Sequence, residues 1–207
     1  MSKFIFIPWK GGLLVIDVGG VGPGNVNLLT VEVLKAIKSY KTVLAFKRVK
    51  ETLKDIRSDI IEIKTLKDVD AYKDADALVL ASGDPMFYGI SEYIKKMGVL
   101  GKIYPGISSV QYMAAAIKKS WHEMDLVSLH GRDYDLEKIN RDTIFLTDKI
   151  MTPNRISKDL FALGKRGKIF AGYNLSYEDE LIVEFNLGEA GEENGALAVC
   201  VVILCEQ

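Results

Sequence analysis

The chain has 207 residues, 48% of them hydrophobic, which suffices for one large or two small α/β lobes. A formal net charge of −1 excludes a general field for gripping a nucleic-acid backbone, so any anionic partner must meet a local basic patch. No apolar stretch approaches the roughly 20 residues that cross a bilayer, and two histidines and two cysteines without paired-ligand spacing argue against a metal site.

The chain opens on Met1-Ser-Lys-Phe-Ile-Phe-Ile-Pro-Trp, whose apolar run stops at Pro8 with no small-residue cleavage pattern after it. It reads as a short surface extension of a cytoplasmic protein, and no cysteine pattern calls for an oxidising compartment. A strand over Leu13–Val18 then leads into Gly20-Val21-Gly22-Pro23-Gly24-Asn25. That turn fails the dinucleotide fingerprint. Asn25 stands where the third glycine would be, Pro23 removes an N–H, and the second strand ends in Lys47-Arg48 with no acid for a ribose. A ligand-contacting turn and a plain tight turn both remain open.

A helix over Val31–Ser39 follows Thr30 as cap, then a strand over Thr42–Phe46 and a short helix near Val49–Asp55. Next come a strand at Ile60–Ile63, a helix near Lys67–Tyr72 and a continuous apolar strand, Ala77–Ala81, buried on both faces. Ser82-Gly83-Asp84-Pro85 closes that strand and opens a helix over Phe87–Met97, with Asp84 as cap and Pro85 at its first position. The strand Lys102–Tyr104 completes an alternation that predicts a parallel sheet with right-handed crossovers. Its ligand turns belong at the carboxyl ends of the strands.

Pro105-Gly106-Ile107-Ser108-Ser109 opens a helix over Val110–Lys118, and the pattern then changes. Strands are expected at Leu126–Leu129, Thr143–Leu146 and Lys168–Ala171, with a helix at Ile156–Leu163. Leu181–Phe185 and Ala196–Leu204 follow with only turns between, which predicts antiparallel pairing at the end of a mixed sheet. The expected division is an N-terminal α/β lobe, residues 1–106, and a C-terminal α/β lobe, residues 107–207. A cleft between them is the default ligand site. Cys200 and Cys205, five apart in the last strand, point to opposite faces and read as core thiols.

Several residues are candidates for chemistry. Gly83 lets a ligand approach the backbone, while Asp84 serves equally as ligand contact or helix cap. Phe87 and Tyr88 are either core or the wall of an apolar pocket. Ser108 and Ser109 begin a helix, where hydroxyls and N–H groups either grip a polar ligand or simply cap. His130, in Ser128-Leu-His-Gly-Arg132 at a strand end, is the tentative catalytic residue. His122 has weaker support. Lys47, Arg48 and Lys50 near the glycine turns, and Arg132, are candidates for holding carboxylates. No nucleophile elbow, Walker loop or triad spacing is present.

Taken in order, Gly20-Val-Gly-Pro-Gly with Leu29-Thr30, Gly83-Asp84-Pro85, and Pro105-Gly106-Ile107-Ser108-Ser109 resemble the tetrapyrrole methylases, from about Leu13 to the C-terminus. Asn25 departs from the aspartate usual in that family. Phe87-Tyr88-Gly89, the segment around His130, Leu146-Thr147-Asp148 and Asn174-Leu-Ser-Tyr-Glu-Asp-Glu180 look most like the branch that methylates C5 of a cobalt-bearing corrin precursor in cobalamin synthesis. The resemblance implies a two-lobed fold, usually a homodimer, with S-adenosylmethionine bound between the lobes and S-adenosylhomocysteine as product. Carried over by position, Pro23, Ser82, Gly83, Asp84, Phe87, Ser108 and Ser109 line the donor site from the first lobe. Leu146, Thr147 and Leu175 close it from the second. Lys47, Arg48, Tyr88 and Arg132 hold the corrinoid substrate with its many carboxylates. The chain ends at Gln207 after the last expected strand, so the C15-methylating and decarboxylating step is expected from a separate partner enzyme. Neither nucleic acid nor membrane is an expected partner. The rivals are a methylase of another precorrin carbon or of sirohaem precursors, and a nucleotide- or RNA-binding module without chemistry.

Overall fold

The computed structural model describes residues 15–87, 89–129, 134–195 and 198–205. The chain divides into two compact units. The first holds the described residues through Val21 together with Leu29–Gly106; the second holds Gly22–Leu28 and the chain from Ile107 onward. Among the described residues no helix is long and apolar enough to cross a membrane.

The first unit is built on a parallel sheet, as its alternating pattern predicts. Strands β1 (Ile16–Gly20), β2 (Thr42–Phe46), β3 (Ile61–Ile63), β4 (Ala77–Ala81) and β5 (Leu100–Tyr104) are ordered β3-β2-β4-β1-β5. Every pairing among them is parallel. The all-apolar strands are buried on both faces. Leu78, Leu80 and Val43 pack with Val33 and Ile37 of helix α1 (Val31–Ser39), while Val79, Ile16 and Val18 pack with Ile90 and Ile94 of helix α3 (Ile90–Lys96). Thr30 caps α1 by accepting the Val33 N–H at 3.2 Å.

Three local expectations are corrected. Helix α2 (Lys47–Thr52) begins directly after β2, so Lys47 and Arg48 form its first turn rather than a loop. Leu66–Tyr72 is a 3₁₀ segment, not an α-helix. Helix α3 starts at Ile90 instead of Phe87, because Asp84 does not cap it. The Asp84 carboxylate accepts the Met86 N–H at 2.7 Å and its carbonyl accepts the Phe87 N–H at 3.1 Å, so a turn forms first.

One buried acid lies in the middle of β1. Asp17 is 6% exposed, and its carboxylate accepts the Lys102 N–H at 2.6 Å and the Tyr40 hydroxyl. It sits where β5 carries one extra residue: Ile16 pairs with Leu100, but Val18 pairs with Ile103. The carboxylate thus replaces the ladder bond lost at this bulge. Burial, and then the bond to Asp17, push the Tyr40 phenol well above its usual range.

The second unit is a mixed sheet of β6 (Asp125–Ser128), β7 (Thr143–Leu146), β8 (Gly167–Tyr173), β9 (Leu181–Asn186) and β10 (Val199–Leu204), ordered β6-β7-β10-β8-β9. Helix α4 (Ser109–Ala116) and helix α5 (Pro153–Ala162) accompany it. The last strand does not add to the end of the sheet beside β9; it inserts between β7 and β8 and pairs antiparallel with both. Its composition explains the position, since Val199, Cys200, Val201 and Val202 are buried on both faces, as a central strand requires. β9, with three half-buried and two exposed residues, takes the edge. Burial raises the Cys200 thiol well above its usual range. Cys205 lies past the strand end and is exposed, so it is not a core thiol.

Candidate active site

In the first unit the carboxyl ends of β4, β1 and β5 lie side by side and carry the three bends singled out by their glycines. Their backbones touch. A Cβ placed on Gly20 would stand 2.6 Å from the Gly83 carbonyl oxygen, 2.6 Å from Pro85 Cδ and 2.7 Å from the Gly106 nitrogen. A Cβ on Gly106 would stand 2.4 Å from the Gly83 oxygen and 2.6 Å from the Gly20 oxygen. The Val21 N–H, donated to the Ala81 carbonyl at 2.9 Å, extends the β1–β4 ladder into this knot. Gly83 adopts φ +70°, the left-handed region that glycine enters without steric cost. Only residues lacking a side chain allow three strand ends to approach so closely.

The sequence-predicted residues of this unit distribute around the knot. Ser82 is exposed, Gly83, Asp84 and Phe87 are half-buried, and Pro85 is buried. Lys47 and Arg48 are exposed at the end of β2, the strand next to β4. Lys47 makes a 3.8 Å surface pair with Glu51, which stabilises little and leaves its charge near solvent. Tyr88, His130 and Arg132 lie outside the described residues.

In the second unit the remaining candidates also gather on one sheet edge. β6 and β7 are parallel and β8 runs with β7, since both oppose β10. The ends of β6, β7 and β8 and the start of β10 therefore coincide: Val199 pairs with Leu146 on one side and Gly172 on the other. Leu146 is half-buried, and Leu175 is 5% exposed. The Thr147 hydroxyl donates to the Ala198 carbonyl at 3.0 Å and accepts its N–H at 2.7 Å, so this side chain anchors the start of β10. Ser108 and Gln111 form a reciprocal capping box at the head of α4, with bonds of 2.8 and 3.1 Å. The Ser108 hydroxyl is thus used in capping; Ser109, at the first helical position, is half-buried. Pro23 is buried within the Gly22–Leu28 segment.

Two features of this unit were not anticipated from the sequence. The Asn25 N–H donates to Ser176 Oγ at 2.9 Å across 151 residues of chain, and Gly24 lies against the Tyr177 ring. Nothing local to Ser176 signals that partner. A depression of about 830 Å³, lined by Arg141, Lys165, Arg166, Asp142 and others, lies at the opposite sheet edge and includes none of the predicted residues.

The arrangement offers backbone carbonyls and N–H groups, small side chains and one half-buried aromatic at the first unit's strand ends. Such a set, with the half-buried Asp84 carboxylate beside it, suits a ligand held mainly by main-chain polarity, an adenosyl and amino-acid moiety among them. The family model of the tetrapyrrole (corrin/porphyrin) methylases matches residues 18–191. The probable cobalt-precorrin-7 C(5)-methyltransferase of Methanocaldococcus jannaschii is 31% identical over 90% of this chain and 97% of its own length. The cobalt-precorrin-7 C(5)-methyltransferase of Salmonella typhimurium is 32% identical over 81% of this chain and 89% of its own. Among solved structures, the uroporphyrin-III C-methyltransferase of Thermus thermophilus, complexed with S-adenosylhomocysteine, shares the fold. Its TM-score is 0.72 at 23% identity, covering 91% of each chain.

Proposed function

The chain belongs to the tetrapyrrole (corrin/porphyrin) methylases, and on that premise we propose that it transfers a methyl group from S-adenosylmethionine to C5 of cobalt-precorrin-7. The observation that carries the reading is the knot of three strand ends, Gly20, Gly83 and Gly106, in a chain whose relatives of matching length act at C5.

The donor's sulfonium supplies a methyl already activated for transfer. The protein's part is then to hold and to orient. The main chain at Ser82-Gly83-Asp84, with Pro23 and Phe87, holds the donor. Ser108, Ser109, Leu146, Thr147 and Leu175 are the further donor contacts of this reading. Lys47 and Arg48, with Tyr88 and Arg132, hold the peripheral carboxylates and select the ring position. In the transfer a carbon–carbon bond forms at C5 and the sulfur–carbon bond breaks, with its electron pair remaining on sulfur. The ring carbon is already nucleophilic, so no base acts before the transfer. Alignment of carbon, methyl and sulfur contributes several kcal/mol, on the order of what oriented intramolecular reactions gain. His130 directs a proton where one is exchanged. A homodimer in the cytoplasm, followed by a separate C15-methylating decarboxylase, completes the reading.

Turnover of cobalt-precorrin-7 with a donor carrying a ¹³C methyl tests it. The carbon spectrum of the product is expected to place the label on C5; a label on another ring carbon, or no transfer, contradicts the proposal.

A further inference from the structure

The loop between β8 and β9 is built at a conformational cost. Among the described residues, three other than glycine adopt positive φ, and two of them are Asn174 (φ +45°) and Ser176 (φ +69°) in this loop. Side chains rarely occupy that region, and such residues persist only where the surroundings over-determine them. Here the surroundings are explicit. The Tyr177 N–H donates to the Asn174 carbonyl at 2.9 Å, and Asn174 Nδ2 donates to Asp179 Oδ2 at 2.7 Å. The Ser176 N–H donates to Glu180 Oε2 at 2.5 Å. Burial first, and then Glu180, raise the Tyr112 phenol of helix α4 above its usual range, which sets that helix beside the loop. Leu175, between the two unusual residues, is buried.

The braced loop presents two groups to a distant stretch of the chain. Ser176 Oγ receives the Asn25 N–H at 2.9 Å, and the Tyr177 ring lies against Gly24. The fit to Gly24 is tight: a Cβ there would stand 2.1 Å from Tyr177 Cε2 and 2.5 Å from Cζ. Asn25 uses its own side chain locally, its Oδ1 accepting the Asn27 N–H at 2.9 Å, and so leaves its N–H for the distant serine. An asparagine makes this turn as an aspartate would, since only an acceptor oxygen is needed. The segment so gripped, Gly22–Leu28, contains Pro23 and directly follows the first glycine bend.

We propose that Ser176 and Tyr177 are positioning residues: the braced loop Asn174–Glu180 sets the place of the Gly22–Leu28 segment and thereby the donor affinity. The contact between loop and segment stands without any functional reading; its effect on affinity rests on the donor reading given above. The two parts are tested separately on the full chain.

Hydrogen exchange read by mass spectrometry tests the contact. Ser176→Ala removes the acceptor of the Asn25 N–H and is expected to raise deuterium uptake in peptides covering residues 22–28, with peptides of β2 and β4 unchanged. Unchanged uptake at 22–28 overturns the contact's role. The affinity arm uses Gly24→Ala, which drives a methyl into the Tyr177 ring, and the double variant Gly24→Ala/Tyr177→Ala, which makes room for it. Gly24→Ala is expected to weaken S-adenosylhomocysteine binding and raise the donor KM by about tenfold to a hundredfold, with kcat nearly unchanged. The double variant relieves the clash but also removes the ring that positions the segment, so it is expected to recover part of that loss and to stay weaker than the unmodified chain. A fall in kcat with KM unchanged, or a double variant that binds as tightly as the unmodified chain, overturns the positioning role. If the unmodified chain does not bind S-adenosylhomocysteine, the donor reading fails, and the exchange experiment still decides whether the loop holds the segment.

Discussion

Alanine at position 106 is expected to cost the protein both stability and donor binding. The added methyl would lie 2.4 Å from the Gly83 oxygen and 2.6 Å from the Gly20 oxygen, and all of these atoms are backbone. No side chain can swing aside to absorb the clash, so the ends of β4 and β1 must separate from β5. Overpacking of this kind costs about 1–3 kcal/mol, and a backbone clash belongs at the upper end. Urea denaturation of Gly106→Ala should therefore show a lowered midpoint at an unchanged slope. Calorimetry should show a loss of at least about tenfold in S-adenosylhomocysteine affinity, roughly 1.4 kcal/mol. A variant as stable as the parent would mean that the three bends are not in contact.

The second large effect is expected at Asp17. Its carboxylate serves the Lys102 N–H and the Tyr40 hydroxyl in a buried site, and Asp17→Ala leaves the Lys102 N–H without its acceptor. The Tyr40 hydroxyl keeps only Tyr104, at 3.3 Å. A buried donor left unsatisfied costs about 1–3 kcal/mol, and the lost side-chain volume adds to it, giving an expected loss of about 2–4 kcal/mol. Asp17→Asn keeps an acceptor for Lys102 and is expected to lose about 1 kcal/mol or less. Equal losses in the two variants, measured by chemical denaturation, would show that the acceptor is not what matters. The site is coupled to this position through β5. The bulge that Asp17 stabilises sets the register of the strand whose end leads into Gly106.

Much of the frame was legible because it depends on local pattern. The apolar stretch Leu13–Val18, broken at Asp17, and the continuous apolar run ending at Ala81 announced buried parallel strands, and the glycines after them announced the bends. Thr30 and Ser108 stand at helix starts where their hydroxyls cap, whereas the cap Thr152 lies ahead of the start expected at Ile156. Other features were hidden for physical reasons. The Asp-Pro pair after Gly83 satisfies both a helix start and a turn, and the carboxylate's bond to Met86 decided for the turn. The place of β10 between β7 and β8 depends on pairing across the whole unit, which burial of Val199–Val202 favours but periodicity does not reveal. Ser176 and Asn25 meet over 151 residues, and a serine in a loop carries no mark of its partner. Ser108 and Thr147, read as donor contacts, have hydroxyls committed to a cap and to Ala198, and their N–H groups are taken as well, by Gln111 Oε1 and by the Ala198 carbonyl.

The central claim is that three strand ends of the first unit seat a sulfonium donor by their main-chain atoms. It is tested most directly by titrating S-adenosylhomocysteine into the ¹⁵N-labelled chain and following each backbone amide. Saturable shifts are expected, largest at Gly20, Gly83 and Gly106 and their neighbours. Saturable binding that leaves those amides unmoved while perturbing residues elsewhere would contradict it.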